Sequence, residues 1–415
     1  MRTRQWIRLD NAAKIFPAVA RGSDTQVFRL SCELTEPVDA RILQQALSEI
    51  AVMFPVYQCV LRRGFFWYYL DSTDIQPVVR EEYKPPCSAI YSKSNKGLLY
   101  EVTYFKNRVN LEMFHVIADG KGAAVFFTAL ITKYLTLAHG VSASSPFFNA
   151  SHTQMSNDSF DTYYDDKKHS KAVTRRNSYK IKGAKVAENR LKLITGHVPV
   201  DQLLRIAKGY GATITVFLCA CLIKAIGSNM SVRARRKPVV IAIPVNLRSF
   251  FPSLTARNFF GLVHVEYDFS AASGTLEDII QEVGKQLKEG LEPERLSSDL
   301  NRFSALEHNV FARIVPLPVK NIVMRTAYLL SRRKVTAALS NIGIIDVPFE
   351  TGYVRSFDVC SATDSMQVCV CSFENCLSIS FTSRFISADI QQFFFRMLVQ
   401  MGIAVEISAN NTETE

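Results

Sequence analysis

Apolar and polar residues alternate along residues 108–113, which is the pattern of a β-strand with one buried face. The apolar positions on that face are Val109, Leu111 and Met113. The next position on the same face is His115. After residue 120 the apolar spacing becomes helical, through Ala124, Phe127, Ile131, Tyr134 and Leu135. The pattern predicts a strand that ends at an inward-facing His115, a tight turn, and a helix that stops at Gly140.

The turn between this strand and helix contains residues suited to it. Gly120 tolerates backbone conformations that a side chain would resist, and Asp119 stands where a carboxylate can accept N–H bonds from the helix start. An imidazole titrates near neutral pH, so a His115 held rigidly beside a cleft is a candidate general base. The alternative is a core histidine that is hydrogen-bonded to a carbonyl, the more common role of a lone histidine in such a setting.

His115, Asp119 and Gly120 have the spacing His-x-x-x-Asp-Gly. This segment resembles the signature of the CoA-dependent acyltransferase superfamily, which has a chloramphenicol acetyltransferase-like fold. Condensation domains of that superfamily usually carry two adjacent histidines, whereas this chain has Phe114 in the first place. The chain therefore looks more like the alcohol acetyltransferase branch. In the family the second histidine, here His115, is the catalytic one.

Other segments agree with this resemblance. Residues 25–34 alternate as a strand, and the helix that follows ends at Phe54-Pro55, because a proline disfavours helix at the residue before it. Arg62-Arg63-Gly64 is the predicted turn of a hairpin. In the second half, an apolar helix follows Gly211–Thr215, and a strand at 239–245 leads into a second block similar to the family's, Asn246-Leu247-Arg248 and then Asn258-Phe259-Phe260-Gly261. Helices within 268–291 and 310–330, strands at 337–344, 367–373 and 377–382, and a final helix at 390–401 complete the prediction.

The length of 415 residues is sufficient for two domains of ordinary size. Residues 141–188 are polar and have few periodic apolar positions, which indicates a connection between two lobes. We predict an N-terminal lobe at 1–150 that carries the motif, the connection at 151–188 and a C-terminal lobe at 189–415. The resemblance implies an α+β fold of two such lobes, each a mixed β-sheet flanked by helices, with the active-site channel between them.

The net charge of +11 indicates a polyanionic partner. Basic residues cluster at Arg175-Arg176, at Lys180, Lys182 and Lys185, at Arg233–Lys237 and at Arg332–Lys334. Nucleic acid is one candidate, but no zinc-finger spacing, RNA-recognition signature or aromatic-interleaved basic stripe accompanies the charge, so we predict no nucleic-acid partner. The phosphates of CoA are another candidate. Scattered solvated charge is the alternative to both.

No run approaches the roughly 18 apolar residues of a membrane span, and residues 1–4 do not lead into an apolar signal core. The nine cysteines are an odd number without a Cys-x-x-Cys pair, so we expect reduced core residues rather than disulfides or metal ligands. These features predict a cytoplasmic protein with no transmembrane segment and no metal site.

The resemblance implies acyl transfer from acyl-CoA, a co-substrate and not a bound cofactor, to a small alcohol or amine. His115 would be the general base for direct attack on the thioester, since no Gly-x-Ser-x-Gly elbow supports an acyl-serine intermediate. Asp119 would either orient His115 or, as the family suggests, fix the turn through an ion pair with an arginine, for which Arg248 is the candidate. Asn341 is a candidate donor to the tetrahedral oxyanion, or alternatively a structural residue at a turn or strand end.

Three rival functions stay open at this point. A catalytically silent, condensation-like binding or scaffold protein would keep the fold without the chemistry. A hydrolase would use His115 to activate water. A basic nucleic-acid binder would need none of the residues named for the site.

Overall fold

The computed structural model describes residues 6–92, 96–140, 150–165, 175–187, 190–348 and 352–410, without the side chains of residues 306, 307, 310 and 311. Its strands are β1 Trp6–Arg8, β2 Val27–Leu34, β3 Cys59–Arg63, β4 Tyr68–Ser72, β5 Val79–Glu81, β6 Tyr100–Phe105, β7 Arg108–Phe114, β8 Lys192–Pro199, β9 Val239–Asn246, β10 Phe260–Tyr267, β11 Ala337–Ile344, β12 Val354–Ser361, β13 Met366–Phe373, β14 Cys376–Ser383 and β15 Glu406–Ala409. Its α-helices are α1 Phe16–Val19, α2 Ala40–Met53, α3 Gly120–His139, α4 His152–Ser156, α5 Ser159–Thr162, α6 Val200–Gly209, α7 Ile214–Ser228, α8 Leu276–Gly290, α9 Pro293–His308, α10 Val310–Ile314, α11 Leu317–Arg332 and α12 Asp389–Gln400.

The first sheet has five strands in the order β12-β2-β7-β6-β5, and its neighbours are antiparallel except for β5 and β6. Helices α2 and α3 pack together against it over one hydrophobic core. Asp119 caps the start of helix α3, and its carboxylate accepts from the N–H of Gly122 at 2.9 Å. The helix ends at Gly140, whose φ of 69° is the left-handed conformation that glycine adopts without strain. The predicted strand, turn and helix are therefore present as expected.

The second sheet has seven strands in the order β10-β9-β11-β13-β14-β8-β15. Strand β11 runs parallel to both β9 and β13, so this sheet is mixed as well. Its core is separate from the first and contains α7, whose residues are buried on nearly every face. Helix α8 is amphipathic and covers the same core with Leu276, Ile279, Ile280, Val283 and Leu287. A small third sheet, β1-β4-β3, holds the predicted hairpin.

Strand β12 joins the first sheet although it lies far into the C-terminal part of the chain. It pairs antiparallel with β2 from Val354 to Ser361. The C-terminal range 189–415 therefore supplies one edge strand to the N-terminal lobe as well as most of the second lobe. Neither β12 nor helix α9 was among the predicted elements.

The prediction that β7 has one buried face is wrong, because both faces are buried. Asn110 and Glu112 on the polar side are 0% and 1% exposed. Ser31 donates to Asn110 at 2.8 Å, and Arg29 donates to Glu112 at 2.9 Å. Side chains of the neighbouring strand β2 therefore satisfy these polar groups. The alternation of apolar and polar residues in β7 does not correspond to an alternation of buried and exposed positions.

The predicted connection at 151–188 is described at residues 151–165 and 175–187, and its other residues lie outside the described ranges. The first part forms α4 and α5 and attaches to the second lobe, since Thr255 donates to the carbonyl of Asn157 at 2.7 Å.

All nine cysteines are unpaired thiols, eight of them buried, as predicted. Helix α3 has the length and composition of a membrane span, but most of it is buried inside the first core, as in a core helix.

Candidate active site

His115 follows the last residue of β7, and its backbone N–H donates to the carbonyl of Gln26 at 2.9 Å. Aromatic rings surround the half-buried imidazole. Phe16 stacks on it at 4.6 Å between ring centroids, Phe28 meets it edge-on at 5.1 Å, and Phe260 lies tilted at 5.6 Å. These contacts leave the ring little freedom to rotate, which is a requirement for a base that must meet its proton in one geometry.

Asn258 determines which nitrogen of His115 carries the proton. Its Oδ1 lies 3.1 Å from Nδ1 of His115, while its Nδ2 donates to the carbonyl of His115 at 3.0 Å and to Oδ2 of Asp10 at 3.3 Å. With Nδ2 committed to two acceptors, Oδ1 must accept, so Nδ1 of the neutral ring is the donor. The lone pair of His115 is therefore on Nε2.

The charge state of His115 follows from its burial. Burial lowers the pKa of His115 below its ordinary value, and the negative charge of Asp119 opposes this only in part. The ring is consequently neutral at pH 7, with Nε2 able to accept a proton.

The Asp119 carboxylate points away from this ring. Its Oδ2 lies 2.7 Å from Nη1 of Arg248 and accepts from the N–H of Phe259 at 2.8 Å. Arg248 also donates to the carbonyls of Thr255 at 3.1 Å and Arg257 at 2.5 Å. The structure thus contains the ion pair predicted for these two residues, and within the described ranges no hydrogen bond joins Asp119 to the imidazole. This arrangement fixes the turn before α3 against the loop 255–259 of the second lobe.

A cavity of about 120 Å³, which we call the reaction cavity, lies between the two sheets beside His115. The first lobe and β12 line it with Phe28, Val359 and Cys360, and the second lobe lines it with Asn246, Phe260, Asn341 and Gln367. Its volume holds a few atoms of substrate at the reacting centre, not a whole cofactor-sized molecule. A wider cavity of about 600 Å³ shares Val359 and Cys360 with it.

Asn341 and Gly120 both line the reaction cavity, as the site prediction requires. Nδ2 of Asn341 donates to the Thr215 hydroxyl at 2.9 Å, and its Oδ1 accepts from the N–H of Gly343 at 2.9 Å. These bonds fix the orientation of the Asn341 side chain and occupy one of its two amide hydrogens. A Cβ at Gly120 would lie 2.9 Å from Cδ1 of Ile342, another cavity residue, so a side chain there would displace the lining.

Asn258, the hydrogen-bond partner of His115, was given no role in the sequence analysis. It stands inside the Asn-Phe-x-Gly block, and 143 positions separate it from His115. That block is the only signal that could have identified it. For metals, no group of three or more His, Cys, Asp or Glu side chains in the described ranges is placed to hold an ion.

No family model and no curated protein matches this sequence. Among solved structures, trichothecene 15-O-acetyltransferase from Fusarium sporotrichioides matches with a TM-score of 0.62 and 12% identity over 96% of this chain and 94% of that chain. The epimerization domain from the third module of tyrocidine synthetase B matches with a TM-score of 0.60 and 15% identity over 96% of each chain. The starter condensation domain of rhizomide synthetase, solved in complex with C8-CoA and Leu-SNAC, matches with a TM-score of 0.59 and 11% identity over 96% of this chain and 94% of that chain.

These matches cover nearly the whole chain, so the shared feature is the two-lobed fold and not a single motif. They confirm the predicted two-lobed α+β architecture, which this chain shares with an acetyltransferase and with condensation and epimerization domains. Identities of 11–15% establish the fold alone.

Proposed function

We propose that this protein is an acyltransferase that moves an acyl group from acyl-CoA to an alcohol or amine, with His115 as general base. The observation that carries the proposal is the hydrogen bond between Nδ1 of His115 and Asn258, because it leaves the Nε2 lone pair as the proton acceptor. The lowered pKa of the half-buried ring supports the same role, since the base is neutral at working pH. We expect the enzyme to be soluble and cytoplasmic.

In the proposed reaction, Nε2 of His115 takes the proton from the acceptor hydroxyl or amine as its oxygen or nitrogen attacks the thioester carbonyl. The tetrahedral intermediate collapses with cleavage of the C–S bond. His115 then returns the proton to the departing sulfur, which yields free CoA and the ester or amide. No covalent acyl-enzyme is formed, and the base ends in its starting state.

The oxyanion of that intermediate needs donors already in place. Asn341 is the proposed donor, because Thr215 takes only one of its two amide hydrogens. Residues Gly120 and Lys121 at the start of α3 also line the reaction cavity. The positive end of this 20-residue helix favours negative charge at the same place.

The proposed donor is acyl-CoA. The complex of the similar starter condensation domain with C8-CoA shows that this fold accommodates such a thioester in that protein. In this chain, CoA would occupy space outside the reaction cavity and present only its thioester to His115. The net charge of +11 supports the binding of its phosphates.

The test compares His115→Ala with the parent in an acyl-transfer assay over a panel of acyl-CoA donors and alcohol acceptors. Loss of a general base costs about 100- to 10,000-fold in rate, while CoA binding should persist. His152→Ala, which changes an exposed histidine on α4, is the matched control and should keep the parent rate. Product analysis separates the functions: an ester or amide supports transfer, free acid alone supports a hydrolase, and a variant within about threefold of the parent rate excludes His115 as the base.

Calorimetry tests the donor separately. CoA should bind with micromolar affinity that weakens as salt rises, because its phosphates are screened. Equal affinity for random DNA, together with no binding of CoA, would refute this part of the proposal.

A further inference from the structure

Apart from the buried Leu317 at its start, the contacts of helix α11 with the rest of the protein involve several polar residues. Asn321 donates to the Tyr68 hydroxyl at 3.1 Å, and Tyr328 donates to Asp24 at 3.1 Å. Lys320 is buried, donates to the carbonyl of Phe66 at 3.1 Å and lies 3.6 Å over the ring of Trp67. Arg332 pairs with Asp364 at 3.1 Å. Positions 320, 321, 328 and 332 lie within about 120° of one another around the helix axis, so they form a single face of the helix.

The opposite face of α11 is apolar and exposed. It carries Val319 at 49%, Ile322 at 68%, Val323 at 61%, Leu329 at 43% and Leu330 at 51% exposure. Successive members of this set are three, one, six and one residues apart. This spacing places them on a second face of the helix, turned away from the first. An ordinary surface helix has the reverse arrangement, with its apolar face buried. Nothing in the described part of the chain covers this face.

The tip of the β3–β4 hairpin extends the exposed apolar surface beyond the start of α11. The N–H of Leu317 donates to the carbonyl of Phe65 at 2.9 Å, which holds the tip against the helix. Phe65 is 72% exposed and Phe66 is 41% exposed. We define the α11 patch as these two phenylalanines with Val319, Ile322, Val323, Leu329 and Leu330. An exposed apolar surface of this kind marks an interaction site.

The charge carried by α11 and its flanking residues has one sign, although the helix contacts the carboxylates of Asp24 and Asp364. Residues 310–334 contain six basic residues and no acidic residue. At the end of α11, the backbone N–H of Ser178 donates to the carbonyl of Arg333 at 3.1 Å, and that of Tyr179 donates to the carbonyl of Pro238 at 2.8 Å. Three of the basic clusters of the sequence, at 180–185, 233–237 and 332–334, therefore adjoin. Partial burial and, to a smaller extent, repulsion by Arg332 and Lys237 lower the pKa of Lys180 to about 8.

We propose that the α11 patch docks this protein on an anionic lipid bilayer. Its valine, isoleucine, leucine and phenylalanine side chains would enter the boundary between headgroups and acyl chains, and the adjoining basic clusters would face the lipid phosphates. A second copy is a poor occupant, since a symmetric contact would bring the same basic clusters together. Nucleic acid would use the basic clusters but leave the exposed aliphatic face uncovered. The inference is independent of the proposed acyl transfer.

Vesicle co-sedimentation tests the proposal with the full chain. Phosphatidylcholine vesicles containing about a third phosphatidylserine should sediment the protein, and pure phosphatidylcholine should retain at least about tenfold less. Ile322→Gln with Val323→Gln should lower partitioning to the anionic vesicles at least about tenfold, because it removes apolar insertion. Adding Arg333→Ser and Lys334→Ser to this variant should lower partitioning further and make it less dependent on salt concentration.

The matched control is Val52→Gln with Val399→Gln, which changes 60% and 55% exposed valines on α2 and α12. This control should partition like the parent. Melting temperatures within about 2 °C of the parent show that each variant is folded. Equal sedimentation of the patch variant and the control would overturn the proposal, as would no binding to anionic vesicles. A third outcome would assign the face to a second copy of the chain instead. In that case the parent does not bind vesicles and is a dimer by light scattering, and Ile322→Gln with Val323→Gln makes it a monomer.

Discussion

The Asp119–Arg248 ion pair makes the sharpest prediction about the site. Both side chains are nearly buried, at 7% and 11% exposure. Arg248→Ala leaves the carboxylate buried with only the N–H groups of Gly122 and Phe259, which costs about 3–5 kcal/mol in the free energy of unfolding. The same change also releases several backbone carbonyls of the second lobe.

Asp119→Ala should cost less, because the two partners are not equivalent. The guanidinium keeps the carbonyls of Thr255 and Arg257 as acceptors. What is lost is the cap of α3, worth about 1 kcal/mol, and the acceptor of the Phe259 N–H, whose loss costs about 1–3 kcal/mol. We therefore expect about 2–4 kcal/mol for Asp119→Ala. The double variant should be less destabilised than the sum by at least about 1 kcal/mol.

The assay is a double-mutant cycle read by both melting temperature and acyl-transfer rate. Arg355→Ala is the control, since Arg355 pairs with Glu33 at 3.3 Å while 68% exposed and should cost less than about 1 kcal/mol. Strict additivity in stability would refute the ion pair. A loss of rate in Asp119→Ala with an unchanged melting temperature would instead show that Asp119 orients His115.

Further predictions concern the base, its orientation and the packing at the turn. Because burial lowers the pKa of His115 and the base must be neutral, the rate should fall with falling pH only below about 6.5; a midpoint above that value contradicts the assignment. Asn258→Ala should lower kcat about 10- to 100-fold with little change in KM, measured by steady-state kinetics. Gly122→Ala places a Cβ 2.2 Å from the carbonyl oxygen of Ala256 and should lower the melting temperature, whereas Gly209→Ala meets nothing within 4 Å and should not.

Local features of the site were predictable because their causes are local. The alternation before His115 and the helical spacing after Gly120 each predict one element, and the cap at Asp119 and the glycine at Gly140 predict its ends. Arg248 was identifiable because it stands in a recognisable block at the end of β9.

Tertiary relations were not predictable from spacing. The partner of His115 is an amide 143 positions away, and alternation in β12 carries no information about which sheet it joins. Helix α11 was predicted as a region of helix, but its buried polar face depends on Tyr68, Asp24 and other residues from distant segments.

The position of β12 has a consequence for the synthesis of the chain. Leu30 of β2 pairs with Val359 about 330 residues further along, so the first sheet cannot be completed until β12 has also left the ribosome. Until then β2 is an open edge with unpaired N–H and C=O groups, and such an edge pairs readily with other strands. At about 5–20 residues per second, the nascent N-terminal lobe keeps that edge for tens of seconds. The N-terminal residues expressed alone should therefore aggregate, and supplying the missing strand within the same chain should restore solubility.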